Sequence, residues 1–182
     1  MIHYLKITPE KLTEFQDIYQ KLIPKHTRWF QSQGVVESTS KYANTDKSMY
    51  ETTEPIRKKM MTLLEQVVHV DPGLAGYDIS NYYLEFHQRN CSDYNNKKKS
   101  WFDWHFDDNG AVSYKVYSII FYLRKDITVR GVDFDYMVDG IKTTHQVNAG
   151  DCLIFRGDLN HCPQPSWGFG CRDAIVCFVK RN

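Results

Sequence analysis

Helical periodicity confined to the first part of the chain, and short aromatic or β-branched runs between turn signals after Gly76, predict an α+β fold. The strand-rich part is expected to close as a double-stranded β-helix, a jelly roll of two antiparallel sheets, buttressed by the N-terminal helices. The 182 residues read as one domain built on a single full core. Residues 1–75 are expected to be mainly helical support, and residues 76–182 the jelly-roll core.

The elements follow in order. Thr8-Pro9-Glu10 reads as a helix start, with a Thr cap and Pro at the first helical position. That helix is expected to reach about Leu22 and to stop before Pro24. From Lys25 to Thr52 no period is sustained, and loops with short pieces are expected. Pro55 is read as opening a second helix, in which Ile56, Met60, Leu63, Leu64, Val67 and Val68 form one apolar stripe. Asp71-Pro72-Gly73 ends it. Strands are expected at Tyr77 to Phe86, Phe102 to Phe106, Tyr114 to Leu123, Gly131 to Val138, Lys142 to Val147, Cys152 to Phe155 and Arg172 to Val179. The turn signals between them include Asp108-Asn109-Gly110, Asp139-Gly140 and Ala149-Gly150-Asp151. Gln88 to Ser100 is polar and reads as a solvated loop, with a lid or a basic rim as the alternative.

Composition narrows the function. Lys plus Arg number 23 and Asp plus Glu 22, so no charge excess demands nucleic acid or an anionic membrane. No apolar run approaches membrane-spanning length. Residues 1–6 show no signal-peptide pattern. Five cysteines without metal-finger spacing fit a reducing, cytoplasmic setting. Aromatic residues are 14% of the chain, which suits a β-rich body with a lined pocket.

The chemistry concentrates in four residues. His105 and Asp107 stand two apart in a run expected to be a strand, where i and i+2 share a face. His161 comes from a distant segment. Two histidines and one carboxylate are the ligand set that holds non-haem Fe(II) on one side and leaves the other open. Asp108 is a rival carboxylate that strand geometry would turn away. His145, in a polar setting, and His87, at a strand end, compete with His161. His3, His26 and His69 fall in or beside the helical part. Arg172 stands eleven residues past His161, at the head of an apolar run, where a guanidinium needs an anionic partner. Iron, a dicarboxylate and dioxygen would fit this set together.

The half from about Gly76 to Arg181 resembles the 2-oxoglutarate- and Fe(II)-dependent dioxygenases, especially their prolyl-hydroxylase-like branch. The matching residues are His105-Phe106-Asp107, Ile120 to Arg124, Gly131 to Phe134, Gly150 to Phe155, His161 and Arg172. Val132 replaces the second glycine of a usual pair, and Asp173-Ala174 follows Arg172 where other branches carry Arg-x-Ser. The resemblance implies that His105, Asp107 and His161 ligate Fe(II), and that Arg172 pairs with the distal carboxylate of 2-oxoglutarate. Tyr122 matches a tyrosine that hydrogen-bonds the same carboxylate, although a core tyrosine would read the same. Tyr82, Tyr83 and Ser118 are weaker pocket candidates. The implied reaction uses dioxygen as co-substrate. It hydroxylates a C–H bond of a peptide, amino acid or other small molecule, with succinate and CO2 as co-products.

Two alternatives stay open. A cupin-type metal-binding module or isomerase would keep the metal without needing Arg172. A nucleic-acid demethylase would draw on the Lys97 to Lys99 run, but the further arginine pattern of that branch is absent after Arg172. Trp101, Trp104 and Trp167 could line a pocket or fill the core.

Overall fold

The computed structural model describes residues 2–22, 28–32, 35–43, 47–69, 71, 75–93, 104–109, 115–131, 133–164 and 166–182. Two α-helices accompany the strands, α1 over Pro9–Leu22 and α2 over Lys47–Val68. Along the chain the strands are β1 (Ile2–Lys6), β2 (Arg28–Ser32), β3 (Val35–Ala43), β4 (Tyr77–Asp93) and β5 (Val116–Lys125). They continue with β6 (Val129–Gly131), β7 (Phe134–Val138), β8 (Ile141–His145), β9 (Asp151–Arg156), β10 (His161–Pro163) and β11 (Ser166–Arg181).

Two antiparallel sheets result. The larger runs β1-β9-β5-β11-β4-β3-β2, with β6 added on the end of β11; the smaller runs β10-β7-β8. Three strands of the larger sheet come from the first 75 residues, so the expectation of a mainly helical segment there is incomplete. The reason is compositional. Arg28–Ser32 and Val35–Ala43 lie at the outer end of the sheet, and their apolar residues come in adjacent pairs, Trp29-Phe30, Val35-Val36 and Tyr42-Ala43, without alternation, which hides their period.

Alternation along the central strands sorts side chains between two cores. On one face Ile119 and Phe121 of β5, Ile154 of β9, and Ile175 and Cys177 of β11 pack with Phe15 and Tyr19 of α1 and Ile56, Met60 and Leu64 of α2. Phe15 meets Phe121 edge-on at 4.4 Å between ring centroids. On the other face Ile120, Leu153, Phe155, Val176 and Phe178 pack with Phe134 and Tyr136 of the small sheet. A sheet covered on both faces needs apolar residues at every position, which explains the unbroken runs in β5, β9 and β11.

Several boundaries move. α2 begins eight residues before Pro55, which stands inside the helix. Pro55 is exposed; inside the helix it removes one backbone hydrogen bond, and its ring crowds the carbonyl four residues earlier. β4 runs on to Asp93, so the first part of the expected Gln88 to Ser100 loop is strand; residues 94–100 lie outside those described. Pairing with β3 on one side and β11 on the other gives those polar residues their backbone partners. The expected Gly131 to Val138 strand divides: β6 joins the larger sheet and β7 the smaller. Asp139 and Gly140 both have positive φ, 50° and 77°, and form the tight β7–β8 hairpin. Among the described residues no helix is long and apolar enough to cross a membrane.

Candidate metal centre

His161 opens β10, just after the turn in which the Leu159 amide bonds to the Arg156 carbonyl at 2.9 Å. Its backbone exchanges two hydrogen bonds with His105, His105 N to His161 O at 2.9 Å and the reverse at 3.0 Å. His105 thus extends the small sheet by one bridge. The expected strand does not continue through Asp107. A 3-10 turn, Asp107–Asn109, begins there instead, and residues 101–103 lie outside those described. The neighbouring carboxylate accounts for the turn. Asp108 Oδ1 accepts the Val116 amide at 2.8 Å, and the Asp108 amide bonds to Gly157 O at 3.1 Å. Asp108 Oδ2 accepts from Arg181 Nη2 at 2.8 Å. Asp108 is therefore committed away from the histidines, and Asp107 is swung toward them.

Nε2 of His105 lies 3.5 Å and Nε2 of His161 3.7 Å from Oδ1 of Asp107. One donor atom from each of the three residues falls within 4.8 Å of the others, close enough for one ion to reach all three. The two imidazole centroids are 4.2 Å apart.

Two of the three donors, His161 and Asp107, are oriented by a neighbour. His161 is 2% exposed, between Phe134 and Phe155. Its Nδ1 lies 3.0 Å from Leu159 O. That contact assigns the proton to Nδ1 and leaves the Nε2 lone pair toward Asp107. Burial pushes the imidazole below its ordinary range, with Asp107 pulling the other way, so the neutral form that binds metals is favoured. Ser118, fully buried on β5, donates to Asp107 Oδ2 at 2.5 Å. A serine inside the otherwise apolar run Val116–Phe121 is the sequence signal for this role.

The three residues line one cavity with Arg172, Tyr122, Ile120, Val176 and Phe178. Arg172 is 4% exposed. It faces the cavity because alternation along β11 places it on the same face as Ala174, Val176 and Phe178. The register shift beside it, between Asp173 and Ala174, leaves the extra residue on β5. The Arg172 guanidinium carbon stands 5.7 Å from the centroid of the Tyr122 ring. Tyr122 is buried, with its face toward that cation.

The other candidates go elsewhere. His145 stacks on Tyr4 at 4.4 Å and lies 3.4 Å from Asp151. His3 pairs with Asp71 at 2.8 Å, His69 is exposed just past α2, and His26 lies outside the described residues. Tyr83 packs near Phe178, 6.2 Å between centroids; the side chain of Tyr82 lies outside the description. Trp104 is exposed, Trp167 is half-buried, and Trp101 and Lys97 to Lys99 fall outside the described residues. Sequence reasoning misses Glu85, and it places His87 only at the end of a strand. Both are buried and line the cavity.

The N,N,O donor set fits Fe(II) and similar divalent ions, and the Nε2 lone pair of His161 is already turned toward Asp107. No protein-family model matches the sequence, and no curated protein matches it. Solved structures share its fold. A prolyl-4-hydroxylase of Pseudomonas putida is 13% identical, with 100% of this chain and 92% of that one covered at a TM-score of 0.67. A prolyl hydroxylase of Trichoplax adhaerens, solved with a hypoxia inducible factor peptide fragment, is 12% identical over 99% and 83% of the two chains, TM-score 0.68. A full-length Neurospora crassa protein, solved in complex with alpha-KG, is 11% identical over 100% and 74%, TM-score 0.64. At these identities the likeness is one of fold.

Proposed function

We propose that this protein is an Fe(II)- and 2-oxoglutarate-dependent dioxygenase that hydroxylates a C–H bond of a peptide, amino acid or other small molecule. One observation carries the reading: the His105, Asp107 and His161 donors open into the same cavity as the buried cation Arg172. The similar structures agree with it, since two are prolyl hydroxylases and one was solved with alpha-KG.

Fe(II), held by His105, Asp107 and His161, would supply the activation of dioxygen that no side chain provides. The chain supplies position. Leu159 O keeps the His161 proton on Nδ1, and Ser118 draws on Asp107 Oδ2, so Oδ1 remains toward both imidazoles. Arg172 offers a charge-assisted contact to the distal carboxylate of 2-oxoglutarate, worth about 1.5–3 kcal/mol per hydrogen bond. Ile120, Val176 and Phe178 keep the cavity apolar between these two poles and limit water. A metal-binding module without redox chemistry would use the triad but has no use for Arg172 in the same cavity.

The test is 2-oxoglutarate turnover. Protein loaded with Fe(II) in air is expected to form succinate and CO2 slowly without substrate, and faster when a peptide or amino-acid pool supplies one. Mass spectrometry of that pool is expected to show the gain of one oxygen atom. Succinate at the level of iron alone in buffer would remove the reading.

A further inference from the structure

A second cavity opens at the far end of β5, and the proposed chemistry does not use it. It holds about 450 Å³, a size typical of small-molecule sites, between the β5–β6 turn and the segment that joins β8 to β9. Val129, buried, gives it an apolar wall. The rest of the lining is mostly polar and includes Lys125, Arg130, Asp126, Asp133, Gln146 and Asn148.

The two acids of the lining are engaged. Arg124 grips both oxygens of Asp126, at 2.7 and 2.8 Å, and the Cys171 amide donates to Asp126 Oδ2 at 2.8 Å. Asp133 Oδ1 accepts the Val147 amide at 3.4 Å and lies 3.9 Å from Lys125 Nζ. The two cations are less well matched. Lys125 Nζ donates to Val147 O at 2.8 Å, and the long contact to Asp133 is its one ion pair among the described residues. Arg130 Nη1 donates to Ile127 O, and among the described residues Arg130 forms no ion pair. Nor does the sheet set an acid opposite either one: Lys125 is paired with Arg172, and Arg130 with Trp167.

Direct cross-strand partners share a face, so Lys125 and Arg172 stand as like charges on adjacent strands, which is unfavourable by itself. They look into different cavities, Arg172 toward the metal donors and Lys125 into this one. With Asp126 balanced by Arg124, the second cavity sets Lys125 and Arg130 against Asp133, a surplus of one positive charge. A bound anion would balance that surplus. Arg130 has Nε and Nη2 free of the Ile127 contact for a forked grip on an oxyanion. The side-chain amides of Gln146 and Asn148 add neutral donors.

We propose that this cavity binds a small oxyanion, a carboxylate or a phosphate, with Arg130 as the forked donor and Lys125 as the second charge. The site is separate from the metal centre and stands independently of the oxygenase reading.

The test uses the full chain without metal, isotopically labelled in its amides. Sodium acetate and sodium phosphate are titrated separately against sodium chloride at equal ionic strength, and amide shifts are followed by NMR. At least one of the two is expected to give saturable shifts at Arg130, Gly131, Gln146 and Asn148, and the tighter binder identifies the ligand as carboxylate or phosphate. Arg130→Gln is expected to weaken that binding by about tenfold or more, as loss of a charge-assisted contact implies. Should this variant fail to fold, the wild-type map decides alone. Shifts at the four amides no larger than chloride gives, saturable shifts only at the metal-cavity residues His105 and His161, or unweakened binding in Arg130→Gln would overturn the site.

Discussion

Arg181, near the end of β11, donates through Nη2 to Oδ2 of Asp108 at 2.8 Å, and so ties the last strand to the turn that presents Asp107. Asp108 is the neighbour of a proposed ligand, and its other oxygen holds the Val116 amide at the start of β5. The turn is thus clamped from two strands of the larger sheet. Arg181→Met leaves a largely buried carboxylate with one partner fewer. The expected loss is about 2 kcal/mol of stability together with weaker metal binding. Denaturant unfolding and Mn(II) titration of the same variant measure the two effects.

Gly157 tests the clamp from the opposite side. A Cβ there would stand 2.3 Å from Asp108 Oδ1 and 2.7 Å from Val116 Cγ2. Gly157→Ala is expected to cost about 1–3 kcal/mol, as overpacking does, and to lower metal affinity by displacing the turn. Unchanged Mn(II) affinity in this variant would disconnect the turn from the metal centre.

Ser118→Ala removes the donor to Asp107 Oδ2 without adding bulk. Loss of such an outer partner typically lowers metal affinity by about tenfold or more. The variant is expected to unfold like wild type to within about 2 kcal/mol, with the larger change in Mn(II) affinity. The reverse pattern would make Ser118 a packing residue.

Much of the site is legible in the sequence, though not always for the right geometric reason. The spacing of His105 and Asp107 pairs them as alternate residues of a strand. They converge instead because a bridge to His161 holds the first and a 3-10 turn swings the second. A spacing of two permits both solutions, and only the commitments of Asp108, made with residues distant in sequence, select between them. Arg172 can be read from its place at the head of an apolar run. Glu85 cannot, because alternation along β4 becomes informative only once both faces of the sheet are known to be covered. β2 and β3 escape for the opposite reason: strands at the outer end of the sheet show little apolar periodicity.

Arg172→Leu is expected to raise the 2-oxoglutarate concentration needed for half-maximal succinate formation by about tenfold or more. Metal affinity should change little, because Arg172 is not among the three donors. Steady-state assays at fixed iron read the first quantity and Mn(II) titration the second. An unchanged 2-oxoglutarate requirement would remove Arg172 from the proposed co-substrate site.

Asp107 also bears on the product. As a ligand, Asp107 would occupy the position that halogenating relatives of the proposed family leave for halide. Turnover of a true substrate in saturating chloride is therefore expected to give a hydroxylated product carrying label from isotopically heavy oxygen gas. A chlorinated main product would contradict both the reaction and the ligand assignment.

On the proposed reading, His105, Asp107 and His161 hold one Fe(II) beside a 2-oxoglutarate site. Anaerobic titration of the protein with Fe(II) and then 2-oxoglutarate, followed by visible absorption, tests it most directly. One equivalent of Fe(II) per chain is expected, with a charge-transfer band that appears only when 2-oxoglutarate chelates the bound metal and is absent in His161→Ala and Asp107→Ala. No band in the wild-type protein, or the same band in both variants, would contradict the account.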